Sequence, residues 1–450
     1  MDGLLLKPTE ETPRARTLIL CDFDGTVSTT DTVNRVVRDH IISEEWRYHV
    51  KRYLRGEIGS KTVYEAVGPL MRMDRDSFRE YALRIAKLDP AFPAFLQWAR
   101  TRGIDVKILS DGFDVTIETL LQRHGIQGLE VFSNRLVISQ DGGVEISYPH
   151  SDPACGWCGT CKRGVIRSHR SNYDKIILIG DGESDRHAAA EADMVLALKE
   201  LFVYCAREGI PAIRVQGFHE VPHLLERRIE AVAFDMDGTL IDSVESIAES
   251  FNYLFGVMGR PAMTVHEIVK RTGISLVDFI NEFFAPEERE QALQIFREYY
   301  DKIFIERTSI IPGVYETLEA INGVVAKGVV TNKRGVYARK LAEHFGFADK
   351  MARIIGAQDG FRAKPAGDMF EEFMRSVGAA KQNTIYVGDA PLDVEAARNA
   401  GIDAVLVAND LFPAEDLALH GPRRVLKRIT DLSSALRPVL GPAPTETSAQ

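Results

Sequence analysis

At 450 residues, 45% hydrophobic and 27% charged, the chain has the composition of soluble globular proteins and room for two or three domains. A net charge of −10 argues against nucleic acid or an anionic membrane as partner. No apolar run reaches a membrane span, and the leucines of MDGLLLKPTEETPRAR are too few for a secretory signal. Five cysteines, three of them within CGWCGTC, do not suggest a disulfide framework at this length, so a cytoplasmic address is expected.

In chain order, the first expected strand is TLILC at 17–21, followed by the aspartate pair of CDFDGT. Residues 31–89 carry helical periodicity and are expected to form an inserted cap, since roughly sixty residues are too many for a plain loop. The helix FPAFLQWART and the strands DVKILS (105–110), KIILIG (175–180) and MVLAL (194–198) follow. A second series starts at AVAF (231–234), inserts another helical cap at 242–311, and continues through VVAKGVVT (324–331), the helix YARKLAEHFG, TIYVG (384–388) and AVLV (404–407). Each strand run is short, rich in β-branched residues and bounded by Gly, Asp or Asn, as in a parallel sheet buried on both faces. Any single run also fits a helix interior; the repetition argues for an α/β fold. The expected organisation is a flexible segment 1–14, a domain at 15–217, a linker at 218–228, a second domain at 229–437 and a disordered tail at 438–450.

Residues i and i+2 of an extended segment face the same way. Asp22 and Asp24, and again Asp235 and Asp237, can therefore point together into the crevice at a strand's carboxyl end. Two carboxylates there repel each other unless a cation or a proton is shared, and Mg²⁺ suits such a site. One carboxylate can then attack phosphorus while its neighbour carries the leaving group's proton. A metal-free turn is the bland alternative. Further groups recur at matching places. Ser110-Asp111-Gly112 and Thr331-Asn332-Lys333 offer a hydroxyl and backbone N–H groups for phosphoryl oxygens. Lys162 and Lys364 come next, then GDGESD (180–185) and GDAPLD (388–393) with Asp181, Asp185, Asp389 and Asp393. Each alone reads as a strand-end cap, a solvated charge or a helix N-cap.

The order Asp-x-Asp-Gly-Thr, Ser/Thr, Lys, Gly-Asp-x-x-x-Asp resembles the haloacid dehalogenase (HAD) superfamily, once per half. The resemblance implies Rossmann-like cores with caps and an aspartyl-phosphate intermediate. It implies Asp22 and Asp235 as nucleophiles, and Asp24 and Asp237 as general acid, then base. Ser110, Asp111, Gly112, Thr331 and Asn332 would bind phosphate, and Lys162 and Lys364 would offset its charge. Asp181, Asp185, Asp389 and Asp393 would complete one Mg²⁺ site per half with Asp22 and Asp235, a backbone carbonyl at Asp24 and Asp237 contributing. The second aspartate of each pair favours phosphate-ester hydrolysis over dehalogenation. The expected protein is thus a bifunctional phosphatase of small phosphorylated metabolites. The alternatives are a phosphomutase or phosphotransferase, or a non-catalytic regulatory module, in one half.

The first half further resembles phosphoserine-phosphatase-type and methionine-salvage phosphatases through its cap segment RGEIGSKTVYEAVGPL and CGWCGTCK. The second resembles phosphoglycolate phosphatases through FDMDGTLIDS, GVVTNK, AKPAGDMF and VGDAPLDVEAARNAG, and that resemblance makes Arg271 and Gly273 of KRTGIS candidate substrate contacts. Cys155, Cys158 and Cys161 could take Zn²⁺ with His150 or His169 as a fourth ligand, or form a redox pair. The favoured reading is that they shape the loop delivering Lys162.

Overall fold

The computed structural model describes residues 16–41, 44–269, 275–437 and 440. Arg271, Gly273, segment 1–14 and the tail at 438–450, apart from Leu440, lie outside the described residues. The chain divides into two compact units, with 202–215 and 223–442 in the second.

In the first half, β1 (Thr17–Cys21), β2 (Asp105–Phe113), β3 (Glu130–Ile138), β4 (Val144–Ser147), β5 (Lys175–Gly180), β6 (Met194–Ala197) and β7 (Ala212–Arg214) form one sheet. Its order is β4-β3-β2-β1-β5-β6-β7. TLILC takes the centre, parallel to β2 and β5 and buried along its whole length. Both of its faces are covered, so it shows no polar alternation.

The second half repeats this centre. β8 (Ala231–Phe234) lies parallel to β11 (Ala326–Arg334) and β13 (Thr384–Gly388), flanked by β12 (Arg353–Ala357), β14 (Asp403–Val407) and β15 (Arg424–Leu426) in the order β12-β11-β8-β13-β14-β15. A two-stranded antiparallel ribbon of β9 (Ile241–Asp242) and β10 (Ser309–Ile310) ties both ends of the second insertion to its core.

Both insertions are helical. The first holds Thr32–His40, Trp46–Leu54, Ser60–Val67 and Arg75–Ile85. Asp31 and Asp74 cap the outer two by accepting from backbone N–H groups of their first turns. Val36, Val63, Val67, Phe78 and Tyr81 pack with Phe113, Leu136 and Ile146, so the cap rests on β2 and the β3–β4 hairpin. The second insertion buries Phe251, Phe279, Phe296 and Tyr300 in a core continuous with Val329 and Leu341.

Four differences from the sequence reading have physical reasons. The hairpin β3–β4 is absent from the expected strands because Ser133-Asn134-Arg135 interrupts its apolar run. The edge strands β7 and β15 carry three residues each, too few for a period to register, and the five-residue RIIGA of β12 is defined by its pairing with β11. The strand VVAKGVVT begins two residues later, and both it and DVKILS run three residues further, through Arg334 and Phe113. Both extensions contain a register shift, between Leu109 and Phe113 and between Thr331 and Arg334, so Ser110 and Thr331 sit in bulged strand rather than in a following loop. Finally, the segment read as a linker carries a helix at Val221–Glu226, and Phe218 packs on Phe92 and Phe95.

Candidate active site

Asp22 and Asp235 each extend a central strand by one bond, donating backbone N–H to Ile179 O and Val387 O at 2.8 Å. Both lie at the carboxyl end of the sheet, where open α/β sheets hold ligands. Three residues on, the chain turns back through Gly25 and Gly238, both at φ +79°. A Cβ at these positions would overlap the Asp181 or Asp389 carboxylate, so only glycine allows the approach.

In the first half, Lys162 opens the helix Lys162–His169 and is buried. Its Nζ donates to Asp22 Oδ1 at 2.5 Å and Asp185 Oδ1 at 2.7 Å. Asp185 Oδ2 accepts from the N–H groups of Asp181 (3.1 Å) and Gly182 (3.3 Å), so it is also the local backbone cap. Asp24 Oδ1 accepts from Thr32 N at 2.6 Å and Thr32 Oγ1 at 2.5 Å, linking it to the first cap helix. Ser110 Oγ accepts from Gly112 N at 2.9 Å. The Asp111 side chain turns elsewhere: its Oδ1 accepts from Thr160 N (2.9 Å) and Asn134 Nδ2 (3.0 Å), which secures the segment leading to Lys162.

The second half reproduces the arrangement with different accessories. Lys364 Nζ reaches Asp235 Oδ2 at 3.0 Å and Asp393 Oδ1 at 2.8 Å, and donates to the Tyr386 hydroxyl at 2.8 Å. Asp393 Oδ2 accepts from Asp389 N and Ala390 N, both at 3.0 Å. Asn332 holds the lysine loop from both sides, accepting from Lys364 N (2.7 Å) and donating to Lys364 O (3.1 Å). Thr331 Oγ1 accepts from Lys333 N at 3.2 Å. Asp237 Oδ1 receives Ser243 Oγ at 2.5 Å and Lys333 Nζ at 2.7 Å.

Burial pushes Asp22 well above the usual carboxylate range, and Lys162 opposes that rise. Asp24 is pushed up to about 7 by burial, with the Thr32 hydrogen bonds pulling it back. Asp235 rises to about 6 for the same reason, against Lys364. Asp389 rises through burial and then the repulsion of Asp393 and Asp235. Burial disfavours the charge on Lys162 and Lys364, but the paired aspartates outweigh it and raise both above the ordinary lysine value.

Two carboxylate groups result, Asp22–Asp181–Asp185 and Asp235–Asp389–Asp393, each with ligand atoms within 4.8 Å of one another. The side chains of Asp24 and Asp237 are in neither group. Asp235 Oδ1 is buried without a hydrogen-bond partner, an orphaned oxygen facing a charge deficit that a cation would fill. In the first group Lys199 Nζ lies 2.8 Å from Asp181 Oδ2; in the second, Asn409 Nδ2 lies 3.0 Å from Asp389 Oδ2.

The three thiols form no group with a histidine or acid able to hold a metal among the described residues. The histidines considered as fourth ligands stand edge-on to Phe132, and His169 also meets Lys107 Nζ at 2.9 Å. The loop instead joins cap to core: Lys61 N donates to Trp157 O (3.2 Å), Gly159 N to Ser60 Oγ (3.2 Å) and Cys161 N to His150 O (2.9 Å).

Sequence reasoning missed Thr32, Lys199, Tyr386 and Asn409. Lys333 stood inside the TNK triplet but was given no role. The available signal was positional, since Lys199 and Asn409 both follow a strand end of their sheet.

A family model for haloacid dehalogenase-like hydrolases matches residues 232–407, and a phosphatase family model matches 17–215. The chain is 31% identical over 226 residues to 2-hydroxy-3-keto-5-methylthiopentenyl-1-phosphate phosphatase of Bacillus velezensis, covering 48% of this chain and 93% of that one. It is 29% identical over 200 residues to phosphoglycolate phosphatase of Chromobacterium violaceum, covering 42% of this chain and 90% of the other. The match to the bifunctional enzyme MtnB/MtnX of Bacillus licheniformis is 29% identical over 220 residues, 47% of this chain, and spans half of that relative's length.

Proposed function

The chain belongs to the haloacid dehalogenase superfamily, with a domain of it in each half, and is a phosphatase; from this premise we propose that it is bifunctional, hydrolysing small phosphate monoesters at one site per half. The observation that carries the reading is the duplicated aspartate–lysine–aspartate contact, Asp22–Lys162–Asp185 and Asp235–Lys364–Asp393, each at the end of a central strand.

In each half the strand-end aspartate, Asp22 or Asp235, acts as nucleophile. A carboxylate oxygen bonds to phosphorus as the P–O ester bond breaks, leaving an aspartyl phosphate. Asp24, held near neutrality by burial and oriented by Thr32, gives its proton to the departing alkoxide. It then accepts a proton from water, which attacks the aspartyl phosphate and frees inorganic phosphate and the carboxylate. Asp237 occupies the same place in the second half, oriented by Ser243 and Lys333. Ser110 and Thr331 direct hydroxyls at the phosphoryl oxygens, and Lys162 and Lys364 offset the charge that develops on them. Asp22, Asp181 and Asp185, and Asp235, Asp389 and Asp393, would hold Mg²⁺, which supplies charge neutralisation to the phosphoryl group.

The test is phosphate release from a panel including 2-hydroxy-3-keto-5-methylthiopentenyl-1-phosphate and phosphoglycolate, the esters acted on by the two relatives, with Mg²⁺ and with excess chelator. Chelation should remove all release, and restored Mg²⁺ should return it. Full activity in chelator would defeat the metal assignment. Among the described residues no helix is long and apolar enough to cross a membrane.

A further inference from the structure

In the second half, the crevice above Asp235 and Asp237 opens into a cavity of about 250 Å³. Much of its wall comes from the inserted helices and is hydrocarbon: Phe251, Phe279, Phe296, Leu276 and Ile247 line it together with Tyr300. The wall is tightly built. Phe251 and Phe279 stack with ring centroids 3.7 Å apart, and Phe296 lies 4.6 Å from Phe251.

An apolar cavity of roughly 150 Å³ accommodates benzene, so one of about 250 Å³ has room for a body of aromatic size. Phosphoglycolate has a single methylene to set against an aromatic wall. A dianion that small gains nothing from hydrocarbon and suffers desolvation beside it. The lining fits a larger, partly apolar ester.

The cations in the cavity point the same way. Lys333 is occupied by Asp237. Arg334 donates Nε to the Gln358 amide oxygen at 2.7 Å and lies over the Tyr337 ring. Arg297 also lines the cavity, and its Nε is buried with no hydrogen-bond partner. Asp301 attracts Arg297 electrostatically, yet it is hydrogen-bonded to the Tyr337 hydroxyl and is one carboxylate beside two guanidiniums. A buried guanidinium donor left unsatisfied is costly unless a ligand completes it.

We propose that the second site acts on monoesters carrying a second anionic group, a carboxylate in the simplest case, separated from the phosphate by an apolar body of aromatic size. Arg297 holds the distal anion, and Phe251, Phe279 and Phe296 pack on the body. This specificity rests on the reading of the second half as a phosphatase site. Both contacts are remote from phosphorus and are made equally in ground and transition states, so they act on KM.

The full-length Asp22→Asn protein, with its first site silenced, should be assayed with Mg²⁺ on phosphoglycolate, benzyl phosphate and para-carboxybenzyl phosphate. The expected order puts para-carboxybenzyl phosphate first, with kcat/KM about tenfold or more above either of the others. Arg297→Gln should then lower kcat/KM on para-carboxybenzyl phosphate about tenfold further than on benzyl phosphate, with the difference lying in KM and partly restored in Arg297→Lys. A preference for phosphoglycolate overturns the proposal, as does an equal loss on both benzyl esters, which would make Arg297 a support of the cap alone. No release from any ester, while the parent protein remains active, would overturn the phosphatase reading of the second half and the specificity with it.

Discussion

With Asp22 changed to Asn, phosphate release from one subset of monoesters should fall by about 10⁶-fold, the scale seen when a covalent nucleophile is removed. Asp235→Asn should produce the same loss on a complementary subset. The amide keeps the shape of the carboxylate but offers a poor nucleophile, so the reaction through an aspartyl phosphate stops. Each variant retains the second contact of its lysine, Asp185 with Lys162 or Asp393 with Lys364, which limits the structural damage. Initial rates across a panel of small esters, with thermal melting to verify folding, provide the measurement. If both substitutions lowered the same substrates in parallel, two independent sites would be excluded. If one of them changed nothing, that half would be a binding module or a transferase lacking its acceptor.

Replacing Lys364 by Met should damage stability as well as activity. The ammonium is the cation in hydrogen-bond contact with Asp235 and Asp393, both buried, and with the Tyr386 hydroxyl. Its removal leaves two buried carboxylates facing each other, a change that costs about 3–5 kcal/mol in comparable buried pairs. For a domain of this size that corresponds to a fall in Tm of roughly 10 °C. Asp235 already stands at about 6 with the lysine present, because burial outweighs it; without Lys364 it must rise further. A carboxyl raised above its unfolded value contributes stability below the unfolded value and loses it as pH increases through the folded one. The deficit of the variant should therefore be largest near neutrality and shrink as the pH falls toward about 4. Calorimetry at several pH values decides the matter, and a deficit independent of pH would show that the loss is one of packing.

Much of this arrangement was legible in the primary structure. TLILC, KIILIG, AVAF and TIYVG became strands with the expected ends, because a strand covered on both faces must be apolar throughout and the following Asp or Gly marks where burial stops. FPAFLQWART became the helix Phe92–Thr101 for an equally local reason, its apolar residues recurring at helical spacing. The aspartates were recognisable because strand-end carboxylates are conspicuous and the whole set occurs twice.

Other features depend on groups that are distant in the chain. Lys162 meets Asp22 across 140 residues, and nothing near either residue encodes the 2.5 Å contact. Edge strands such as β15 are defined by the neighbour they pair with, not by their own composition. The cysteines suggested chemistry by spacing, whereas their loop is fixed by Ser60 and Asp111, each contributed by another part of the chain. The two halves share a motif order but differ in what surrounds the second aspartate, Thr32 in one and Lys333 with Ser243 in the other. The sequence by itself determined the α/β class, the duplication and the identity of the acidic and lysine residues, since backbone periodicity and strand-end chemistry are written locally. Only the tertiary structure decided which partners those residues have, and that an aromatic wall with Arg297 stands over the second site, because contacts between remote segments come from packing rather than from any local pattern.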